Sequence, residues 1–171
     1  MIVRRAGAGD LAAAVDVWRA ANTARGRPPD DARIEQVRAK LAAPKALPVV
    51  ADDGGLLVGM ALGEPAREDD GAGPPIPGVC FIGMVFVAPH RWRTGVGRAL
   101  VRAVSAAAAE VGYDRLQLWT GAANQPAIAL YSQCGFRPSG RTMTLPDGEP
   151  IVQYVATTAD VAARVGLPPP E

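Results

Sequence analysis

Apolar and polar positions fall into short runs whose period changes along the chain. Ile2–Arg5 alternates with period two and predicts a first strand. From Asp10 the period becomes helical: Leu11, Ala14, Val15 and Trp18 share one stripe through Ala21, with Asp10 placed as the N-cap. Asn22–Pro29 breaks the pattern, and Asp30–Leu41 resumes it with Ile34, Val37 and Leu41 aligned. Leu47–Ala51 and Leu56–Leu62 read as the strands of a hairpin around Asp52-Asp53-Gly54-Gly55.

Glu64–Gly78 is rich in proline, glycine and acid without any period, and predicts a long loop. Val79–Val87 is almost continuously apolar, as expected of a central strand buried on both faces. Gly95–Val111 predicts a helix whose inner face carries Leu100, Val104, Ala107, Ala108 and Val111, ended by Gly112. Leu116–Thr120 predicts another strand. Asn124–Cys134 predicts a helix capped by Asn124, with Pro126 in its first turn. Gly135 suits the C′ position, so Phe136 should fold back onto Leu130 or Tyr131.

Phe136–Leu145 and Ile151–Thr157 read as a last pair of strands around Pro146-Asp147-Gly148-Glu149. Thr158–Glu171 has room for one helical turn before Pro168-Pro169-Pro170. The order is β-α-α-β-β-β-α-β-α-β-β without internal repeats. It predicts a mixed α/β sheet rather than a doubly wound dinucleotide fold.

Composition narrows the classes. A length of 171 residues, 49% hydrophobic and 20% charged, suits one domain with a true core. Eighteen basic and 17 acidic residues leave a net charge of +1, which argues against a general nucleic-acid binder, although Arg91, Arg93 and Arg98 form a local basic patch. No apolar run is long enough to span a bilayer, so no membrane partner is expected. Met1–Arg5 lacks the apolar segment of a signal peptide, so a cytoplasmic location is expected. Cys80 and Cys134 lie in apolar segments and read as buried thiols. With His90 the only histidine, neither a disulfide framework nor a metal site is expected.

The candidate chemistry lies between Val85 and Leu100. An apolar strand ends near Pro89, a basic segment with Gly95 and Gly97 follows, and a helix begins. Free N–H groups at such a helix start bind anions. A P-loop would need Lys-Ser or Lys-Thr after the last glycine, where this chain has Arg98-Ala99. A Rossmann fingerprint would need a third glycine and a place at the first strand-to-helix turn. Downstream, Asn124 and Tyr131 lie two helical turns apart on one stripe, where a ligand lying along the helix could meet both.

Together, Val87-x-Pro89 leading to Gly95-x-Gly97, and Asn124 through Leu130-Tyr131 to Gly135-Phe136, resemble the GCN5-related N-acetyltransferase (GNAT) superfamily. The element order from Ile2 to Thr157 fits that resemblance. It implies the GNAT fold, a mixed, mostly antiparallel twisted sheet of about seven strands with about four helices. Residues 1–157 would form one domain, with 158–171 as a tail. The implied activity moves an acetyl group from acetyl-CoA, as cosubstrate, to a primary amine by direct attack in a ternary complex.

By resemblance, Val85, Phe86 and Val87 pair with the pantetheine arm. Arg93, Thr94, Gly95, Val96, Gly97 and Arg98 cradle the pyrophosphate. Asn124 contacts the cofactor arm, and Tyr131 meets the thioester and protonates the departing thiolate. The acceptor would be a small amine, an antibiotic-like amine, or a protein N-terminus or lysine, with acidic Glu68–Asp70 favouring a cationic small molecule, in a pocket built from Asn22–Pro29, Glu64–Gly78 and Leu145–Pro150. Homodimers are common in the family.

Two departures stand out. The family often carries Arg or Gln three residues before the first glycine, where this chain has Trp92. Backbone N–H groups must then hold the phosphates, with Arg91 or Arg93 compensating. Many members also carry a glutamate on the central strand or the next, but Val79–Val87 holds no acid and Leu116–Thr120 presents Trp119. Glu64 is the first candidate base, then Glu68, Asp69 and Asp70, with a water chain as the alternative. Packing for Tyr131, plain capping for Asn124 and turn-shaping for the glycines are the structural counter-readings. A catalytically silent acyl-CoA-binding domain is the competing function.

Overall fold

The computed structural model describes residues 1–164. Its frame is one sheet of seven strands: β1 Ile2–Arg5, β2 Leu47–Asp53, β3 Leu56–Arg67, β4 Pro75–Val87, β5 Arg115–Gly121, β6 Arg137–Thr144 and β7 Pro150–Thr157. Their order across the sheet is β1-β2-β3-β4-β5-β7-β6. All neighbours are antiparallel except β4 and β5. Helices α1 Leu11–Ala24, α2 Asp31–Leu41, α3 Val96–Glu110, α4 Gln125–Gln133 and α5 Thr158–Ala163 complete the fold. The expected mixed, mostly antiparallel sheet is the observed one.

The fifth helix lies in the expected tail. Thr157 Oγ1 accepts the Asp160 N–H at 3.0 Å, and Val161 is buried in the core shared with α3. The Pro168–Pro170 part of the tail lies outside the described residues.

Local chemistry explains most of the boundaries. Asp30 caps α2 by accepting the Arg33 N–H at 2.8 Å. Asp10 does not cap α1: its carboxylate takes the Gly7 N–H at 2.7 Å and both guanidinium nitrogens of Arg4 at 2.7 and 3.0 Å. A charge-assisted fork outcompetes a single cap bond. α1 also runs on to Ala24, past the predicted end at Ala21. α4 closes as predicted: Phe136 N–H meets Tyr131 O at 3.0 Å and Gly135 N–H meets Ser132 O at 3.1 Å, with Gly135 at φ 95°.

The long loop predicted over Glu64–Gly78 is not there. β3 continues to Arg67 and β4 begins at Pro75, so only a short turn is left between them. Proline suppresses the strand signal, yet Pro65 and Pro75 sit where the register breaks, and a missing N–H costs little at such places. Ala66, fully buried, anchors the extension.

Two cores sandwich the sheet. Val96, Leu100, Val101 and Val104 of α3 lie on one face, and Val15 and Trp18 of α1 with Val37 and Leu41 of α2 lie on the other. α3 sits unusually close. A Cβ on Gly59 would stand 2.8 Å from both Leu100 Cδ1 and Val96 Cγ1, and one on Gly63 would stand 3.0 Å from Val104 Cγ2. β4 is not buried along its whole length as predicted: Val79, Cys80 and Ile82 are buried, but Gly83 is exposed and Val85–Val87 are half-buried. The sheet opens there.

Candidate active site

β4 pairs with β5 only where Val79–Phe81 face Arg115–Gln117. Beyond that point β5 continues on β7 alone, so the C-terminal halves of β4 and β5 part. The break begins at a bulge: Leu62 faces Met84 and Gly63 faces Ile82, which leaves Gly83 without a partner.

The register decides which backbone groups the opening receives. Ala88 N–H bonds Val58 O at 2.9 Å, which makes that pair hydrogen-bonded. Alternation then puts Phe86 in the hydrogen-bonded pair with Met60, its main chain spent on β3. The N–H and C=O groups of Val85 and Val87 point the other way, into the opening. Val87 O already accepts the Trp92 Nε1–H at 2.8 Å. An extended ligand therefore finds Val85 N–H, Val85 C=O and Val87 N–H, whereas Phe86 offers only its side chain.

α3 begins at the end of that edge. Arg93 (φ 62°) and Gly95 (φ 87°) are left-handed and bend the chain sharply. Thr94 Oγ1 donates to Arg91 O at 2.7 Å and fixes the turn. Ala99 N–H is the first to close inside the helix, onto Gly95 O at 3.1 Å, so Val96, Gly97 and Arg98 N–H have no intrahelical acceptor. Gly97 has a second reason to be small: a Cβ there would stand 3.2 Å from Leu130 Cδ2 of α4. Arg91 is turned away and ion-paired with Asp53, so it does not supply the compensating charge expected of it. Arg93 is exposed on the turn itself.

α4 closes the opening on the α3 side. Asn124 Oδ1 caps the helix by accepting the Ala127 N–H at 3.3 Å, which leaves its amide NH2 free. Tyr131 is 8% exposed, and its ring is 5.9 Å from that of Phe136 at 58°. Burial pushes its phenol up to about 12, opposed by the weaker pull of Arg25. Among the described residues the phenol hydroxyl has no hydrogen-bond partner.

Glu64 stands on the opposite face. It follows Met60 and Leu62 toward α1 and α2, with Oε1 3.4 Å from Lys40 Nζ. The same oxygen lies 3.5 Å from where a Cβ on Gly83 would be. Glu64 and Tyr131 thus flank the parting of β4 and β5 from opposite sides of the sheet.

Ion pairs tie two of the three segments expected around the acceptor to each other and the third to β6. Arg27, before α2, meets Glu149 of the β6–β7 turn at 2.8 Å. Asp70 meets Arg141 at 2.9 Å, and that guanidinium lies 5.5 Å from the Trp119 ring centroid. Half-buried Phe81 and Trp119 alternate with core residues Cys80, Ile82 and Leu118 and so lie on the sheet face opposite α3. Sequence reasoning missed Arg25 and Arg141, because a lone arginine in a helix end or an edge strand carries no period.

Other candidates drop out on chemistry. Burial raises the Cys80 thiol to about 12 and the Cys134 thiol to about 11, so neither is a ready nucleophile. His90 is exposed on the loop. Among the described residues, no three of His, Cys, Asp and Glu converge as metal ligands, and no helix is long and apolar enough to cross a membrane.

A sheet whose two parallel strands part beside a glycine-started helix is the frame of an enzyme class that holds an extended, phosphate-bearing acyl donor. Residues 12–136 match the family model described as "Acetyltransferase (GNAT) family", and the chain belongs to that family. It is 34% identical over 94 residues to the "Probable N-acetyltransferase family 8 member 5" of Mus musculus, covering 54% of this chain and 39% of that protein. It is 36% identical over 87 residues to the mycothiol acetyltransferase of Thermobispora bispora, covering 51% of this chain and 28% of that protein. These matches span well under half of each relative. An aminoglycoside 6'-N-acetyltransferase solved with coenzyme A shares the fold at a TM-score of 0.72 and 16% identity, each chain covered in full.

Proposed function

We propose that this chain transfers the acetyl group of acetyl-CoA to the primary amine of a small cationic molecule, with residues 1–157 as the catalytic domain. One observation carries the reading: the free edge of β4 opens beside the unsatisfied N–H groups of α3, and Tyr131 and Glu64 flank that opening. The pantetheine arm would add to β4 through Val85 and Val87, as an edge strand does. The pyrophosphate would lie on the turn Arg93–Arg98, held by Val96, Gly97 and Arg98 N–H. The amide NH2 of Asn124 would reach the arm from α4.

The amine enters from the Glu64 side. An aliphatic ammonium has a pKa near ~10 and must lose a proton before it attacks. Glu64, directly or through water, takes that proton. The nitrogen lone pair then forms a bond to the thioester carbon, and the oxyanion draws on a strand N–H facing the opening. As the C–S bond breaks, the sulfur leaves as a thiolate toward Tyr131, and the second proton of the attacking nitrogen passes to it directly or through water, giving amide and thiol.

The energetics limit what Tyr131 does. A phenol at about 12 would not surrender its proton outright to a thiolate whose acid is near ~8.5, a transfer several kcal/mol uphill. Tyr131 therefore acts chiefly as a charge-assisted hydrogen-bond donor to the departing sulfur. Phe81 and Trp119, with the Glu64 carboxylate beside them, favour a cationic acceptor.

The test is thiol release from acetyl-CoA across a panel of small amines, antibiotic amines and peptide N-termini. Turnover on cationic small amines supports the reading. Binding of acetyl-CoA without turnover on any amine would make the chain a silent acyl-CoA-binding domain instead.

A further inference from the structure

Arg25, the C-cap residue of α1, reaches across the sheet face and places its guanidinium carbon 5.6 Å from the Phe86 ring centroid and 6.0 Å from that of Trp92. Trp92 is itself pinned, because its indole N–H is bonded to Val87 O at 2.8 Å. The guanidinium is thus positioned by two aromatic rings at the point where β4 ends and the glycine turn begins. Arg4, Arg27, Arg91 and Arg141 each meet a carboxylate; Arg25 meets none among the described residues. With no carboxylate to spend them on, the Arg25 N–H donors are left to take a phosphate through two hydrogen bonds.

Position selects the ligand. Transfer belongs at Gly83, where the strands part, whereas Trp92 stands three residues before Gly95, beside the anion-binding turn. A cation held against Trp92 therefore faces the phosphate end of the donor. Arg91, expected to compensate for Trp92, is committed to Asp53.

We propose that Arg25 is a binding residue for the pyrophosphate of coenzyme A, delivered from α1 and held in place by Trp92 as a positioning residue. Trp92 does not replace the side-chain cation of the turn; it imports one from another element. This inference rests on the acetyl-CoA reading above.

Calorimetric titration of wild type, Arg25→Ala, Arg25→Lys and the double variant Arg25→Ala/Trp92→Arg with coenzyme A, 3'-dephospho-coenzyme A and pantetheine tests it. Arg25 and Trp92 are both exposed, so all variants should melt close to the wild type. Arg25→Ala should weaken coenzyme A and dephospho-coenzyme A alike, about tenfold, and leave pantetheine unchanged. Arg25→Lys should recover part of the loss, and Trp92→Arg should restore binding in the alanine background by putting the cation on the turn itself. Four results would overturn the assignment: unchanged coenzyme A affinity in Arg25→Ala; a loss confined to coenzyme A, which would place Arg25 at the 3'-phosphate; an equal loss on pantetheine; or a raised acceptor KM with cofactor affinity intact. Failure of the wild type to bind coenzyme A would instead bring down the acetyl-CoA reading and this inference with it.

Discussion

Replacing Tyr131 with Phe removes one oxygen and nothing else. The hydroxyl bonds no described residue, and the ring keeps its contact with Phe136, so unfolding should change by no more than about 0.5 kcal/mol. Any catalytic loss then belongs to the reaction. Burial holds the phenol at about 12, too weak an acid to release its proton fully to a thiolate. The hydroxyl's contribution is that of one hydrogen bond to a charged group, about 1.5–3 kcal/mol. That corresponds to a fall in kcat of about 10- to 100-fold, below the far end of general acid catalysis. Steady-state kinetics at saturating amine, together with calorimetric titration of coenzyme A, give kcat and cofactor affinity separately. The expected outcome is reduced kcat with unchanged affinity. An unchanged kcat would remove Tyr131 from the chemistry, and an equal loss in affinity would make it a binding residue.

Glu64→Gln should lower kcat/KM for the amine about a hundredfold without changing cofactor affinity, and an unchanged value would send the proton out through water alone. Gly97→Glu should abolish coenzyme A binding by filling the space against Leu130 and setting a carboxylate among the phosphate-binding N–H groups. Trp92→Gln, which puts a hydrogen-bond donor in the indole's place, should cost far less, and the reverse ranking would refute the backbone cradle. Gly59→Ala should cost about 1–3 kcal/mol of stability, read as a lower denaturation midpoint at constant m, because α3 must lift off β3. The buried Tyr131 phenol has a folded pKa above its unfolded value near ~10, so its contribution is complete below that pH and is lost as pH rises toward about 12. Wild type and Tyr131→Phe should therefore be nearly equal in stability below that window and diverge across it, the wild type becoming the weaker, and parallel curves would contradict the burial.

The order of elements was legible because each run had one period, and the ends of α3 and α4 were legible because Gly95, Asn124 and Gly135 act locally. What escaped the sequence was set by distant partners. Arg4 diverted Asp10 from its cap. The pairing of Arg67 with Pro75 turned a proline-rich loop into a hairpin. The candidate residues on β4 were found as a run, but which of them face the opening depends on one bond, Ala88 to Val58, that no local pattern reveals. In the sequence Glu64 stands out only because the central strand carries no acid, and its place over the Gly83 bulge follows from the β3–β4 register.

The central claim is that the opening between β4 and β5 holds acetyl-CoA for transfer to an amine. Incubating the purified chain with acetyl-CoA and the amine panel, and following thiol release beside acetylated product by mass spectrometry, tests it directly. The account predicts thiol and acetylamine in equal amounts on at least one cationic small amine, lost in Gly97→Glu. Thiol release at an equal rate in Gly97→Glu, or no coenzyme A binding by the wild type, would contradict it.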